Sequence, residues 1–241
     1  MTHFAIIIKE HDINLEYIDL SIKKLSSLPD IIGNLINLKH LYLADNQLCS
    51  LPAAIGNLIK LERLHLENNQ LSSLPVEFGN LINLRLLHLD NNKLISLPAS
   101  ICNLINLETL ILGDNKLSSL PKSIGKLINL KNLYLDNNKL SSLPASIGNL
   151  INLKILYLYD NKLTSLPEVI LNVKNIIVIN ETAYEINNLD ISCSILIFSE
   201  LKINIRNLPI NIKEIWLNDC IKNPNIKLPF GCEIKKYGDG S

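Results

Sequence analysis

Apolar residues along this chain fall at fixed intervals. From Leu38 onward the pattern reads L-x-x-L-x-L-x-x-N-x-L-x-x-L-P-x-x-I-G-x-L-x-N and returns every 23 residues. Six units match it closely, starting at Leu38, Leu61, Leu84, Leu107, Leu130 and Leu153. A seventh, starting at Leu15, keeps Leu15, Ile18, Leu20, Leu25, Leu28 and Pro29 but has Lys23 where the others have Asn. With the first Leu of a unit as position one, positions four and six are apolar and alternate with polar residues. That alternation predicts a short, half-buried strand. Leu41 and Leu43 are expected to point inward, and His40, Tyr42 and Ala44 outward.

The remaining columns predict the path of the chain after each strand. Asn46, Asn69, Asn92, Asn115, Asn138 and Asn161 stand at position nine. An amide side chain both donates and accepts, so it can satisfy backbone groups exposed where the chain turns out of the strand. Stacked copies are expected to form a buried asparagine ladder. Proline at position fifteen fixes φ and excludes a second strand. The Ile-Gly-x-Leu stretch after it predicts a short helical turn or 3-10 segment. Gly33, Gly56, Gly79, Gly125 and Gly148 are expected to supply a left-handed or tight conformation there. Cys102 replaces that glycine in one unit, so the position is preferred but not essential.

These motifs resemble the leucine-rich-repeat family over about residues 15–175. The S-x-L-P-x-x-I-G-x-L-x-N half-unit is similar to the intracellular Ras-binding and Ras-suppressor type of repeat. The resemblance implies an α/β leucine-rich-repeat solenoid, curved, with a parallel strand per repeat on the concave face and short helical or 3-10 turns on the convex face. It also implies a non-enzymatic protein-interaction module, with a small GTPase or another signalling protein as one specific partner. The alternatives are a substrate-recognition subunit of a ubiquitin ligase or phosphatase complex, or a structural or decoy repeat protein.

The ends depart from the period. Residues 1–14, with one strand expected at Phe4 to Ile8, read as an N-terminal cap. Residues 15–175 hold seven 23-residue repeats. Residues 176–241 read as irregular, shorter repeats of about 19 to 20 residues and then a cap and tail; Leu208-Pro209 and Leu228-Pro229 are 20 apart. Glu181 takes a core-leucine position and Tyr184 the Asn position, while Cys220 stands where Asn would be. The polar tail from Lys235 to Ser241 is expected to fray.

Composition narrows the function. The 241 residues include 48 Leu, 37 Ile and 32 Asn, and the formal net charge is zero. Neutrality removes the global electrostatic case for nucleic-acid binding, and 5% aromatic residues leave few stacking platforms for bases. No apolar run reaches the length of a membrane span, and no secretory signal is read at the start, so a cytoplasmic monomer is expected. The five cysteines (49, 102, 193, 220 and 232) have no close pairing, which fits a reducing compartment. No phosphate loop, nucleophile elbow or paired C-x-x-C is present, so no enzyme activity and no cofactor are expected. Asn180-Glu181-Thr182 is a sequon of the kind an Asn-rich chain contains by accident.

The outward strand positions carry the candidate binding surface. Position five gives Asp19, Tyr42, His65, His88, Ile111, Tyr134 and Tyr157. This column is rich in rings, which offer flat contact area with a polar tip. Arg63 belongs to position three. Positions seven and eight contribute one acid per full unit: Asp45, Glu67, Asp90, Asp114, Asp136 and Asp160. Read as a row, they predict a groove that prefers a basic or polar protein surface. Lys93, Lys116, Lys139 and Lys162 come directly after the ladder asparagines and are placed to neutralise the row. His65 and His88 share a column at strand spacing, about 5 Å. Zinc needs three or four ligands, and the flanking column members are Tyr42 and Ile111, so no metal site is expected.

Overall fold

The structure is a computed structural model. It describes residues 14–158 and 160–163, together with the backbones of four later strands. Seven three-residue strands succeed one another: β1 (Tyr17–Asp19), β2 (His40–Tyr42), β3 (Arg63–His65), β4 (Leu86–His88), β5 (Thr109–Ile111), β6 (Asn132–Tyr134) and β7 (Ile155–Tyr157). Each pairs in parallel with the next in a register of one full repeat, Tyr17 opposite His40, His65 opposite His88, Tyr134 opposite Tyr157. Four further strands extend the same sheet in chain order: β8 (Ile176–Ile179), β9 (Ile195–Phe198), β10 (Glu214–Asn218) and β11 (Glu233–Tyr237). Strand starts are 23 residues apart through β7, then 21, then 19. The segment from Lys235 to Tyr237, expected to fray, is strand paired with β10. Residues 1–13 of the N-terminal cap, Glu181, Tyr184 and the cysteines beyond Cys102 lie outside the described residues.

The period-23 pattern is a burial pattern. In the coil starting at Leu61, Leu61, Leu64, Leu66, Leu71, Phe78 and Leu81 are fully buried, and Leu74 is 6% exposed. Each such side chain contributes about 2 kcal/mol relative to its exposed state. A single coil has only an edge to bury these groups against, so its neighbours complete the core.

Proline sets the opposite edge. Pro52, Pro75, Pro98 and Pro144 sit in extended conformation immediately before five-residue 3-10 turns such as Ala53–Asn57 and Val76–Asn80. Every helical segment among the described residues before β8 is 3-10.

The glycine column is explained by contact between coils rather than by a left-handed backbone. None of the described glycines in that column has positive φ. A Cβ on Gly33 would stand 2.6 Å from the Ala54 carbonyl oxygen, and one on Gly56 would stand 2.4 Å from that of Glu77. Cys102 tests the rule. It is buried, and the following coil has its 3-10 segment shortened to Ile124–Lys126, with Ser123 turned to φ −95°, ψ 11°. Ser123 is the residue a side chain at position 102 would strike, by the offset seen at Gly33 and Ala54. The neighbouring turn shifts at Ser123 and keeps its opening hydrogen bond, Ile124 N to the Pro121 carbonyl at 3.0 Å.

Position eight carries a left-handed backbone in every described coil, and Lys24, at position ten of the first, has φ 55° as well. Asp45, Asn68, Asn91, Asp114, Asn137 and Asp160 all have φ between 47° and 56°. Asp and Asn tolerate this region better than other side chains that carry a Cβ. Ile22 occupies the same position in the first coil, with φ 60° and 74% exposure.

Candidate protein-binding face and its histidine–carboxylate cluster

Parallel register aligns position five of successive coils, so Asp19, Tyr42, His65, His88, Ile111, Tyr134 and Tyr157 form one continuous row across the sheet. The rings are packed on one another. Tyr42 stacks on His65 at 4.6 Å between centroids, and Tyr134 stacks on Tyr157 at 5.1 Å. His65 meets His88 edge-on at 5.3 Å. Tyr17, from position three, joins the first end at 5.3 Å from Tyr42. These rings are half-buried by their neighbours, apart from Tyr17, which is exposed. Burial lifts the Tyr157 hydroxyl above its ordinary value, with Tyr134 and Asp136 adding to it. Arg63 is exposed at position three.

The acidic row divides in two. Asp45, Asp114 and Asp160 are the position-eight residues with left-handed backbone, exposed at the turn. Glu67, Asp90 and Asp136 are at position seven, on the same face as the rings and half-buried. Ala44, expected to point outward, occupies this shelf and is 8% exposed. Burial raises the Asp136 carboxyl above its usual range, and Asp114 and Asp90 raise it further. Burial also raises Asp90, partly offset by His88. Among the described residues, the ion pairs of these acids are with histidines and not with the lysines beside the ladder.

His65, Glu67, His88 and Asp90 come together because positions five and seven of one strand share a face, and neighbouring strands add a second pair. His65 Nδ1 is 3.2 Å from Glu67 Oε1. His88 Nδ1 is 3.1 Å from Glu67 Oε2, and His88 Nε2 is 3.1 Å from Asp90 Oδ1. Neither His88 contact is aligned as a hydrogen bond, so Glu67 Oε2, His88 Nδ1 and Asp90 Oδ1 are water-shielded without an aligned partner. Burial disfavours the Glu67 carboxylate, yet the two imidazoles outweigh it and hold this carboxyl far below the usual range. Burial likewise disfavours the His88 imidazolium, and Glu67 and Asp90 outweigh it, raising His88. The sequence places the two histidines side by side, but reading the column alone overlooks the carboxylates two residues further along each strand.

The asparagine ladder lies behind this face. Asn92 Nδ2 donates to the carbonyls of Leu66 (2.9 Å), Leu89 (3.1 Å) and Asp90 (3.2 Å), and its Oδ1 accepts from Leu71 N at 2.9 Å. Asn46, Asn69, Asn115 and Asn138 repeat these bonds at 7–8% exposure. Asn161 donates to Leu135 and Leu158. The Asn46 oxygen accepts from both Lys23 N and Leu25 N, which is how the first coil functions without its own ladder residue.

Three columns carry structure that the repeat pattern alone does not rank. At position twenty-three, Asn83, Asn106, Asn129 and Asn152 form a second, exposed ladder, each donating to an isoleucine carbonyl one coil back. At position two, charges alternate along the strand edge as Glu16, Lys39, Glu62, Arg85, Glu108 and Lys131. Lys39 pairs with Glu16 at 2.8 Å, and Glu108 takes both Arg85 and Lys131. Lys131 first and then Arg85 hold Glu108 below its usual range. At position twenty-two, Ile36, Ile59, Ile82, Ile105, Ile128 and Ile151 make an exposed apolar row, each about half accessible.

Comparison with known proteins agrees with this architecture. Family models described as leucine rich repeat match residues 13–71, 37–94 and 152–173, and one described as a leucine-rich repeat region matches 75–140. The chain belongs to the leucine-rich-repeat family. A solved leucine-rich-repeat protein of Leptospira interrogans is 31% identical, with a TM-score of 0.64 over 95% of this chain and 68% of that one. No curated protein matches. Leucine-rich repeats generally mediate protein–protein interaction, and the fold is typically non-enzymatic. No described helix is long and apolar enough to cross a membrane.

Proposed function

We propose that the protein binds a protein partner through the sheet face of its solenoid, with Tyr42, His65, His88, Tyr134 and Tyr157 as anchors. The observation that supports this reading is the row of stacked rings held at strand spacing in a chain that has few aromatics. Neighbouring rings fix one another, so little side-chain entropy is lost on contact. Glu67, Asp90 and Asp136, half-buried beside the row, favour a partner with a basic or polar contact surface. Arg63, Asp45, Asp114 and Asp160 form the rim. The similarity to Ras-binding repeats makes a small GTPase or another signalling protein inside the cell the partner of first choice, bound by a monomer.

The test is capture from cell lysate, and then surface-binding kinetics with whatever is captured. Truncating Tyr134 and Tyr157 to alanine is expected to abolish binding, with folding checked by thermal unfolding. Lys122 and Lys126, on the 3-10 side, are controls, as is Ile105→Ser in the exposed isoleucine row. The reading fails if the controls abolish binding and the tyrosine variant retains it.

A further inference from the structure

We propose that His65, Glu67 and His88 form a binding site for a divalent transition-metal ion of the zinc class, with Asp90 as the outer carboxylate that orients His88. The site stands independently of the protein-binding reading above. A ring nitrogen from each histidine and a carboxylate oxygen of Glu67 all lie within 4.8 Å of one another. Ligands of a tetrahedral zinc ion, with bonds of about 2.0–2.2 Å, are about 3.3–3.5 Å apart. His65 Nδ1 lies 3.2 Å from Glu67 Oε1 and His88 Nδ1 lies 3.1 Å from Glu67 Oε2, so the carboxylate faces one imidazole with each of its oxygens. Closing the set onto one ion takes side-chain rotation that brings both imidazole nitrogens to a common centre with the carboxylate.

Three features beyond proximity point to an ion. The donor set, two imidazoles and one carboxylate, is the set zinc takes when three protein ligands leave a fourth position open. Glu67 Oε2 and His88 Nδ1 face one another, shielded from water and unaligned for a hydrogen bond, and with Asp90 Oδ1 they put three of the five such atoms among the described residues in this one cluster. A cation between the first two would satisfy both. Asp90 Oδ1 stands 3.1 Å from the other nitrogen of the His88 ring, within reach to accept its N–H once the ring turns onto an ion. The four residues are carried by β3, β4 and the two residues after each strand, with paired strands on both sides.

Untagged full-length protein, stripped with chelator and desalted, is to be titrated with Co2+ and followed by visible absorption, then competed with Zn2+. The expected result is one Co2+ per chain, with the intense bands of four- or five-coordinate cobalt that Zn2+ removes stoichiometrically. His65→Ala and His88→Ala should each eliminate the bands. Glu67→Gln keeps the side-chain volume and should do the same, which covers the case of a histidine variant that does not fold. Asp90→Asn should weaken affinity about 10- to 100-fold. His40→Ala, on the same sheet face at position three, should bind as wild type. Absence of the cobalt bands, or binding unaffected by Glu67→Gln and the histidine variants, overturns the proposal. His88 is then simply a ring packed between two carboxylates.

Discussion

Replacing Asn92 with alanine removes one side chain from the middle of the ladder and no apolar contact of consequence. Its amide supplies donors to three carbonyls and its oxygen takes the Leu71 N–H. Asn92 is 8% exposed, so water replaces few of these bonds. A buried group left unpaired costs about 1–3 kcal/mol. Leu71 N loses its partner outright, while the Leu66 carbonyl keeps the Asn69 amide at 3.1 Å, so one group is orphaned and the expected cost is about 1–3 kcal/mol. Asn106 is the matched control, because it donates to the Ile82 carbonyl at 2.9 Å but is exposed. Water can take over that bond, so Asn106→Ala should cost no more than about 0.5 kcal/mol. Asn92→Asp should be worse than Asn92→Ala at neutral pH, because a carboxylate would face the carbonyl oxygens that the amide now serves. Urea unfolding, read as a change of midpoint at constant slope, gives the three values. Hydrogen exchange at Leu71 N–H reports the lost bond locally, which matters because repeat arrays can open one segment at a time. Equal costs for Asn92→Ala and Asn106→Ala, or a wild-type midpoint for Asn92→Ala, would refute the idea that burial sets the energy of this ladder.

Two further predictions concern single positions. Ile22 holds a left-handed backbone that a β-branched side chain disfavours, and it gains little burial in return. Ile22→Asn should raise stability by about 1 kcal/mol in the same urea assay, and a loss would show that the site is unstrained. Asp136 has a raised pKa in the folded state, mainly from burial and then from Asp114 and Asp90. Its folded form holds the proton more tightly than its unfolded form, so stability falls as pH rises from about 3.9 through the folded value and stays low at neutrality. Asp136→Asn should therefore raise the thermal midpoint at pH 7, with the advantage vanishing below about pH 4. An advantage that persists in acid would assign the effect to something other than charge.

The sequence alone determined the coil. A 23-residue period of leucines, a fixed asparagine and a fixed proline leave few ways to bury the one and satisfy the other. Strand, turn and ladder can therefore be read from the columns without coordinates. The members of the position-five row, the asparagine ladder and the 5 Å neighbourhood of His65 and His88 were legible for that reason: a parallel register of one repeat turns sequence spacing into spatial spacing. What the period could not rank was the difference between positions that look alike in sequence. Positions seven and eight both carry acids, yet one is a half-buried shelf and the other a left-handed turn, and only the backbone path separates them. The glycine column looked like a conformational requirement, and the structure makes it a clearance between adjacent 3-10 turns. The joining of Glu67 and Asp90 to the histidines was likewise decided in three dimensions. It depends on how far side chains of different length reach along one face of two strands, and a repeat consensus averages that quantity away.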